Sequence, residues 1–370
     1  MKQGWTYKKL GEVANIVHGK NQKEVLSVDG NYPIYGSGGN IMGYATDYLC
    51  EAGTTILGRK GSINSPQFIE ERFWNVDTAF GISAKEGNDS KYLFYYIQSV
   101  NWLEKNTGTT LPSLTQQVVK SVELPIPSLS EQQRIVSRLD AAFAHIDALK
   151  TNAEKQLSEA SALFQKALEE AMKPKEGWTY KKLGEVCRIE RGGSPRPIKN
   201  YITTDENGLN WIKIGDTDPQ GKYIYSTKEK IKPEGLRKTR WVEVDEFLLS
   251  NSMSFGRPYI LKTNGCIHDG WLVLRDYQKN LNIDFFYYLL ISPNIQSQFR
   301  QKAQGSTVSN LNTDRVAGIS VVFPSLSDQH LIVSRLDSLS AKVRELEAIQ
   351  RKTLAECDAL KQAMLREVFE

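Results

Sequence analysis

Much of what would mark an enzyme, a secreted protein or a membrane protein is missing from this sequence. No apolar run approaches the roughly 20 residues that a membrane-crossing helix needs. The opening MKQGWTYKKLGEV lacks the apolar core of a secretory signal. The expected location is the cytoplasm, with no membrane partner. Four cysteines (Cys50, Cys187, Cys266 and Cys357) stand far apart with no CxxC pair, which argues against a disulfide framework or a zinc site. There is no GxxxxGK[ST] phosphate loop, no HExxH and no Asn/Asp-Pro-Pro-Tyr/Phe segment of the kind used by amino-methyltransferases. The four histidines are scattered, and the adjacent pair His268–Asp269 in CIHDGW is the nearest approach to an acid–base couple. Such a pair in isolation is far more often structural. No catalytic residue, metal ligand or cofactor site is therefore expected in this chain. Charge excludes little. The formal net charge is +4, with 22 basic against 16 acidic residues over 174–323, an excess compatible with phosphate contact and diagnostic of nothing.

What is present is a repeat. GWTYKKLGEV occurs at 4–13 and again, unchanged, at 177–186, an offset of 173 residues. PSLSEQQRIVSRLD at 127–140 returns as PSLSDQHLIVSRLD at 324–337, an offset of 197 that holds to the end of the chain. The units are thus 1–173 and 174–370, and the second carries 24 additional residues in its middle. Similar ends suit packing on each other or on a repeated partner. Dissimilar middles suit two versions of one task, although a duplication whose halves have merely drifted is the bland alternative.

Each unit closes with a helical pattern. In the first, Ile135, Leu139, Ala142, Ile146, Leu149, Ala153, Ala160, Leu163 and Ala167 recur in steps of three and four, with Gln156 interrupting. In the second, Ile332, Leu336, Leu339, Val343, Leu346, Cys357, Leu360 and Met364 keep the register, with Gln350 and Thr353 as polar breaks. Such a/d periodicity over about five heptads predicts a coiled-coil pair. A single helix docking on its own domain is the simpler alternative. Ser130 with Gln133 reads as a capping box, weakened in the second copy by His330, and Pro174 stops the first helix. About 40 residues at about 1.5 Å each make rods of roughly 60 Å. The chain leaves the first unit along one helix, so the second must run back to bury the shared seam. The pair is antiparallel.

The globular parts read as mixed α/β. Short β-rich runs lie at 32–38, 54–62, 210–216 and 246–252, and short aromatic helices at LFYYIQSV (93–100) and FFYYLLIS (285–292), whose rings suit a core. Gly/Ser/Arg/Lys loops beside the strands are the candidates for nucleic-acid contact. They are Ser37, Gly38, Arg59, Lys60 and Ser62 in the first unit, and Arg191, Ser194, Arg196, Asn251, Ser252 and Arg257 in the second. Arginine can grip guanine edges and asparagine adenine edges through paired hydrogen bonds.

As a set these features resemble the specificity subunits of type I restriction–modification systems. The resemblance rests on W-x-x-x-x-L-G-E-V at Trp5–Val13 and Trp178–Val186, and on P-S-L-S-[ED]-Q at 127–132 and 324–329. It also rests on ILGRKGSI (56–63), FWNVDTAF (73–80), WIKIGD (211–216), LLSNSMSFG (248–256) and GCIHDGWLVL (265–274). It covers essentially the whole chain. It implies an α+β pseudo-two-fold tandem repeat, with two target-recognition domains (1–126 and 174–323) separated by two long antiparallel coiled-coil helices (127–173 and 324–370). It further implies a non-catalytic subunit that reads a bipartite, asymmetric site on double-stranded DNA. The implied partners are two methyltransferase and two translocase–nuclease subunits, with S-adenosylmethionine, ATP and Mg on those partners and no cofactor in this chain. Three alternatives stay open at this point. One is a specificity subunit of a methylation-only or fused nuclease–methylase system, another a coiled-coil interaction protein that binds no DNA, and the third a nuclease of unrecognised type.

Overall fold

The computed structural model describes residues 4–219, 221–251, 256–303 and 311–370. The chain forms two compact units, one running to Lys155 and completed by Gln350–Glu370, the other Gln156–Ile349. Each is mixed α/β, and the repeat seen in the sequence is a repeat of structure.

The two matching ends of each unit pair with one another. Strand Thr6–Lys9 runs antiparallel to Glu123–Ile126, and Thr179–Lys182 to Ser320–Phe323. The chain then makes one helical turn, Leu10–Val13 or Leu183–Val186. Glu12 and Glu185 each accept from the backbone N–H that opens the turn, at Lys9 (3.1 Å) and Lys182 (2.9 Å). The turn drives Leu10 and Val13, or Leu183 and Val186, into the core. GWTYKKLGEV is thus paired in both copies with the strand just before PSLS, although the residues of that strand, ELPI and SVVF, differ.

In the first unit a four-stranded antiparallel sheet follows in the order Ala14–His18, Ala79–Ala84, Thr54–Gly58, Gln67–Ile69, beside a three-stranded sheet of Ile41–Ala45, Tyr32–Tyr35 and Trp74–Asn75. In the second unit both sheets have five strands. The first of these is ordered Arg188–Arg191, Trp271–Arg275, Phe247–Ser250, Pro258–Leu261, Tyr223–Ile224. The longer middle of the second unit is spent on short strands and on three short 3-10 helices, Ile198–Asn200, Ile214–Asp216 and Pro233–Lys238. Strands Thr54–Gly58 and Phe247–Ser250 are buried along their whole length, as central strands are. The aromatic segments form helices Ser90–Ser99 and Ile283–Ile291, with Tyr92, Tyr95 and Tyr96, and Phe285 through Tyr288, turned into the core.

The helical patterns form two long helices, Leu129–Ala171 and Leu326–Phe369. Their start is two residues earlier than the sequence suggests. Ser128, not Ser130, takes the N-cap, with its Oγ accepting from Glu131 N–H at 3.4 Å, and Ser325 does the same for Asp328 at 3.4 Å. The cap is therefore Ser-x-x-Glu/Asp in both copies, and His330 weakens nothing. Buried Gln132 and Gln329 bind each helix start to the short aromatic helix. Gln132 accepts from Asp89 N–H (2.9 Å) and donates to Pro127 C=O (3.1 Å), and Gln329 accepts from Asn282 N–H (2.8 Å) and donates to Pro324 C=O (3.0 Å). Tyr95 donates to Asp140 and Tyr288 to Asp337, about two turns further along each helix.

Within the first unit the start of one long helix lies against the end of the other. Lys150 reaches Asp358 at 2.6 Å and Lys361 reaches Asp147 at 2.5 Å, so the numbering runs up on one helix as it runs down on the other. Ile135, Leu139 and Ile146 share a core with Cys357, Leu365 and Phe369. In the second unit Leu168 and Leu336 share another, with Ile332 packed against it, and Val343 and Leu346 are half-buried. The expected seam needs a correction at Leu149, Leu163 and Leu360, which are 54%, 56% and 51% exposed. The seam advances by four residues at those points and passes through Lys150, Phe164 and Lys361, all partly buried. One residue turns a helix by about 100°, enough to swing the preceding leucine out. Lys150 and Lys361 cover apolar surface with their stems and carry their ammonium groups to the neighbouring helix.

Among the described residues no helix is long and apolar enough to cross a membrane, and no group of three or more His, Cys, Asp or Glu is placed to hold a metal ion.

Candidate nucleic-acid interface

The first sheet of each unit ends in loops, and there the structure gathers most of the candidates. Sheet register aligns the copies. Leu57 lies opposite Phe80, and Leu249 opposite Leu272. Arg59 therefore corresponds to Asn251, and Asp77 to Asp269. A glycine at the end of the first sheet strand lets two loops touch. A Cβ on Gly19 would stand 1.8 Å from Val76 C=O, and one on Gly192 2.2 Å from His268 C=O, so only glycine fits either place.

In the first unit Arg59, Lys60 and Ser62 lie on one turn after strand Thr54–Gly58. The Arg59 and Lys60 N–H groups both donate to Thr78 C=O (2.8 and 3.1 Å), and Arg59 Nη1 donates to Asp77 C=O at 3.3 Å. The Ser37–Gly38 loop comes alongside, and a Cβ on Gly38 would lie 3.4 Å from Ser62 Oγ. Arg59 and Ser37 are half-buried, while Gly38, Lys60 and Ser62 are exposed. Five residues from two stretches of sequence thus share one loop surface.

In the second unit the gathering point is Asp269. Ser194 Oγ donates to its Oδ1 at 2.7 Å, and Arg196 Nη2 to its Oδ2 at 3.3 Å. Arg191 Nε and Asn251 Nδ2 donate to its backbone carbonyl at 3.3 and 2.9 Å. The Ser194 hydroxyl, first, then a backbone N–H and the nearby Arg196 guanidinium hold the Asp269 carboxyl below the usual carboxylate range, so it is ionised. Sequence reasoning missed this residue, which entered only as half of a weighed acid–base pair. The signal available was its place in GCIHDGWLVL, aligned with FWNVDTAF. His268 is no proton relay for it. Burial pushes its pKa down and keeps the ring neutral, and its nitrogens face the N–H groups of Ile214 (3.2 Å) and Gly270 (2.6 Å).

Two candidates change role. Asn251 is 1% exposed, so its amide pins the Asp269 loop and offers no edge to a base. Arg257 pairs through its backbone with Ser250 and lays its guanidinium over the ring of Tyr259 at 5.5 Å. Ser252 lies outside the described residues. Arg191 and Arg196 are exposed and Ser194 half-buried, so the second unit presents two guanidinium groups and a hydroxyl around one carboxylate. Such an array can bind phosphate oxygens and base edges.

Comparison with known proteins places these features in company. A family model described as "Type I restriction modification DNA specificity domain" matches residues 2–159 and again 175–356. A putative type I restriction enzyme specificity subunit of Haemophilus influenzae is 28% identical over 345 residues, covering 90% of this chain and 86% of that protein. The specificity subunit of the type I restriction enzyme EcoBI of Escherichia coli is 23% identical, covering 99% of this chain and 85% of that one. In fold the chain is similar to one from a structural study of complex assembly and conformational transition of the type I R-M system, with a TM-score of 0.79, 20% identity and coverage of 99% and 98%. It is also similar to the HsdS subunit from Thermoanaerobacter tengcongensis, with a TM-score of 0.56, 20% identity and coverage of 100% and 97%.

Proposed function

The chain belongs to the type I restriction–modification DNA specificity family, and from that premise we propose that it reads a bipartite, asymmetric site on double-stranded DNA. Each unit takes one half-site. The observation that carries this reading is one loop framework built twice and furnished differently. Arg59, Lys60 and Ser62 occupy it in the first copy, and Arg191, Ser194 and Arg196 gather there in the second. Equivalent frameworks present their loops to equivalent stretches of duplex, and unlike side chains there prefer unlike base pairs.

The chain contributes recognition in this proposal, and its partners contribute chemistry. Two methyltransferase subunits with S-adenosylmethionine, and two translocase–nuclease subunits with ATP and Mg, would complete the assembly. Support for a repeated partner comes from large apolar side chains exposed at the same places in both copies: Tyr7 and Tyr180, Leu129 and Leu326, Leu163 and Leu360. Exposed leucines and tyrosines at equivalent places of the two copies are what one partner surface, used twice, requires.

The direct test is to express the chain with its cognate methyltransferase and map methylated adenines across the host genome. Two unlike half-sites at constant separation are expected. A single contiguous motif, or salt-sensitive binding that ignores sequence, would overturn the proposal.

A further inference from the structure

We propose that Asp269 is a specificity-determining positioning residue of the second unit, holding Ser194 and Arg196 for base-edge contact and repelling phosphates at unrelated sequences. The inference rests on the DNA-reading role proposed above and assigns the residue on which discrimination in that half depends.

Three observations support it. The first is convergence. Side chains from two separate stretches, 191–196 and 251, donate to this one residue, two of them to its carboxylate and two to its carbonyl. Among the described residues, Asp269 is the one on which the hydrogen bonds of Arg191, Ser194, Arg196 and Asn251 meet.

The second comes from the internal repeat. When the copies are aligned by sheet register over 14–19, 54–59 and 77–85, the charged residue they share is the aspartate, Asp77 in one and Asp269 in the other. Apart from the packing glycine, Gly19 or Gly192, its neighbours differ: Val76 faces His268 in the alignment, Thr78 faces Gly270, and Arg59 faces Asn251. In both copies the residue at that last position still donates to the aspartate's backbone carbonyl. The pivot is kept while the furnishing changes.

The third is the sign of the charge. A carboxylate amid groups that meet DNA opposes binding to every phosphate it approaches. Such a cost is sustained only where the carboxylate organises donors or filters targets. Asp269 can do both. With its carboxylate ionised it accepts from Ser194 and Arg196 together, which leaves the remaining N–H groups of the Arg196 fork aimed by the first contact. Arg196 is otherwise an exposed side chain whose many rotamers would each find a phosphate. Tethered, it presents one arrangement, suited to one base edge.

The test uses the chain assembled with its methyltransferase, and duplexes carrying the full target, a scrambled second half-site or a scrambled first half-site. D269N removes the charge and keeps the shape. Binding to the target should fall about tenfold. Binding to the duplex with a scrambled second half-site should rise about threefold, because a repulsion has gone. The loss on scrambling the first half-site should stay as in the wild type. R196Q should lower target binding, and the D269N/R196Q pair should do little more than either change alone. S194A, which removes one donor and leaves the charge, guards against a D269N protein that fails to fold. It should lower target binding and leave the scrambled duplex unaffected. A merely structural role would reduce all duplexes in parallel. Unchanged discrimination in D269N and S194A overturns this inference while leaving DNA reading intact, whereas a wild-type complex that shows no sequence preference sinks both.

Discussion

Gln132 and Gln329 show how much one polar side chain can decide. Each is wholly buried, and each satisfies a backbone N–H on one element and a backbone carbonyl on another. The long helix is thereby held at a set angle to the domain that carries it. Replacing Gln132 by Leu would strand the N–H of Asp89 and the carbonyl of Pro127, at a cost of about 2–4 kcal/mol for two buried groups without partners. Urea unfolding measures this directly, and a loss below about 0.5 kcal/mol would mean that water or a shifted backbone takes the vacated bonds. The glutamine was visible in the sequence as the last letter of PSLS[ED]Q, but its work was not, because both partners of each copy are contributed by folding. The same holds for Asn251. Its composition suits an adenine reader, and only burial shows that it is a strut.

The long helices teach a similar lesson about elements. Their existence and extent are legible from periodicity, since five heptads of apolar spacing allow few other structures. The finer phase is not. A heptad repeat of 3.5 and a helix of 3.6 residues per turn drift apart, and a seam can absorb the drift by a step of four wherever a lysine stem serves as well as a leucine. That happens at Lys150 and Lys361, which frees Leu149 and Leu360, and at Phe164, which frees Leu163. The freed Leu163 and Leu360 stand at the same position of the repeat, so the prediction concerns the partner. L163D or L360D alone should leave circular dichroism and thermal unfolding within a few degrees of the wild type and halve the methyltransferase bound at saturation, and the double change should abolish its capture. If the double variant still binds two copies, the repeated apolar positions are not the docking surface.

For the whole molecule the consequence is a constraint on distance. Under the proposed function, two reading loops joined through the long helices accept only the spacers that those helices allow, as half-site spacing is set in dimeric DNA readers. Adding seven residues to the middle of each long helix keeps the apolar phase and lengthens each by about 10 Å. The preferred spacer should grow by about three base-pair steps, given about 3.4 Å per step along one strand. Methylation mapping reads the new spacing. An unchanged spacer would show that the helices do not measure it.

The tandem repeat, the two kinds of unit end and the long antiparallel helices were determined by the sequence itself. Identity at offsets of 173 and 197, and apolar recurrence at helical spacing, are properties of the chain before it folds. Tertiary structure alone decided which loop residues meet. Arg191, Ser194, Arg196 and Asn251 converge on Asp269 because antiparallel strand pairing carries residues up to 78 positions apart into hydrogen-bond contact. Local propensity says nothing about such distant partners, and neither does the choice between exposing a side chain and burying it.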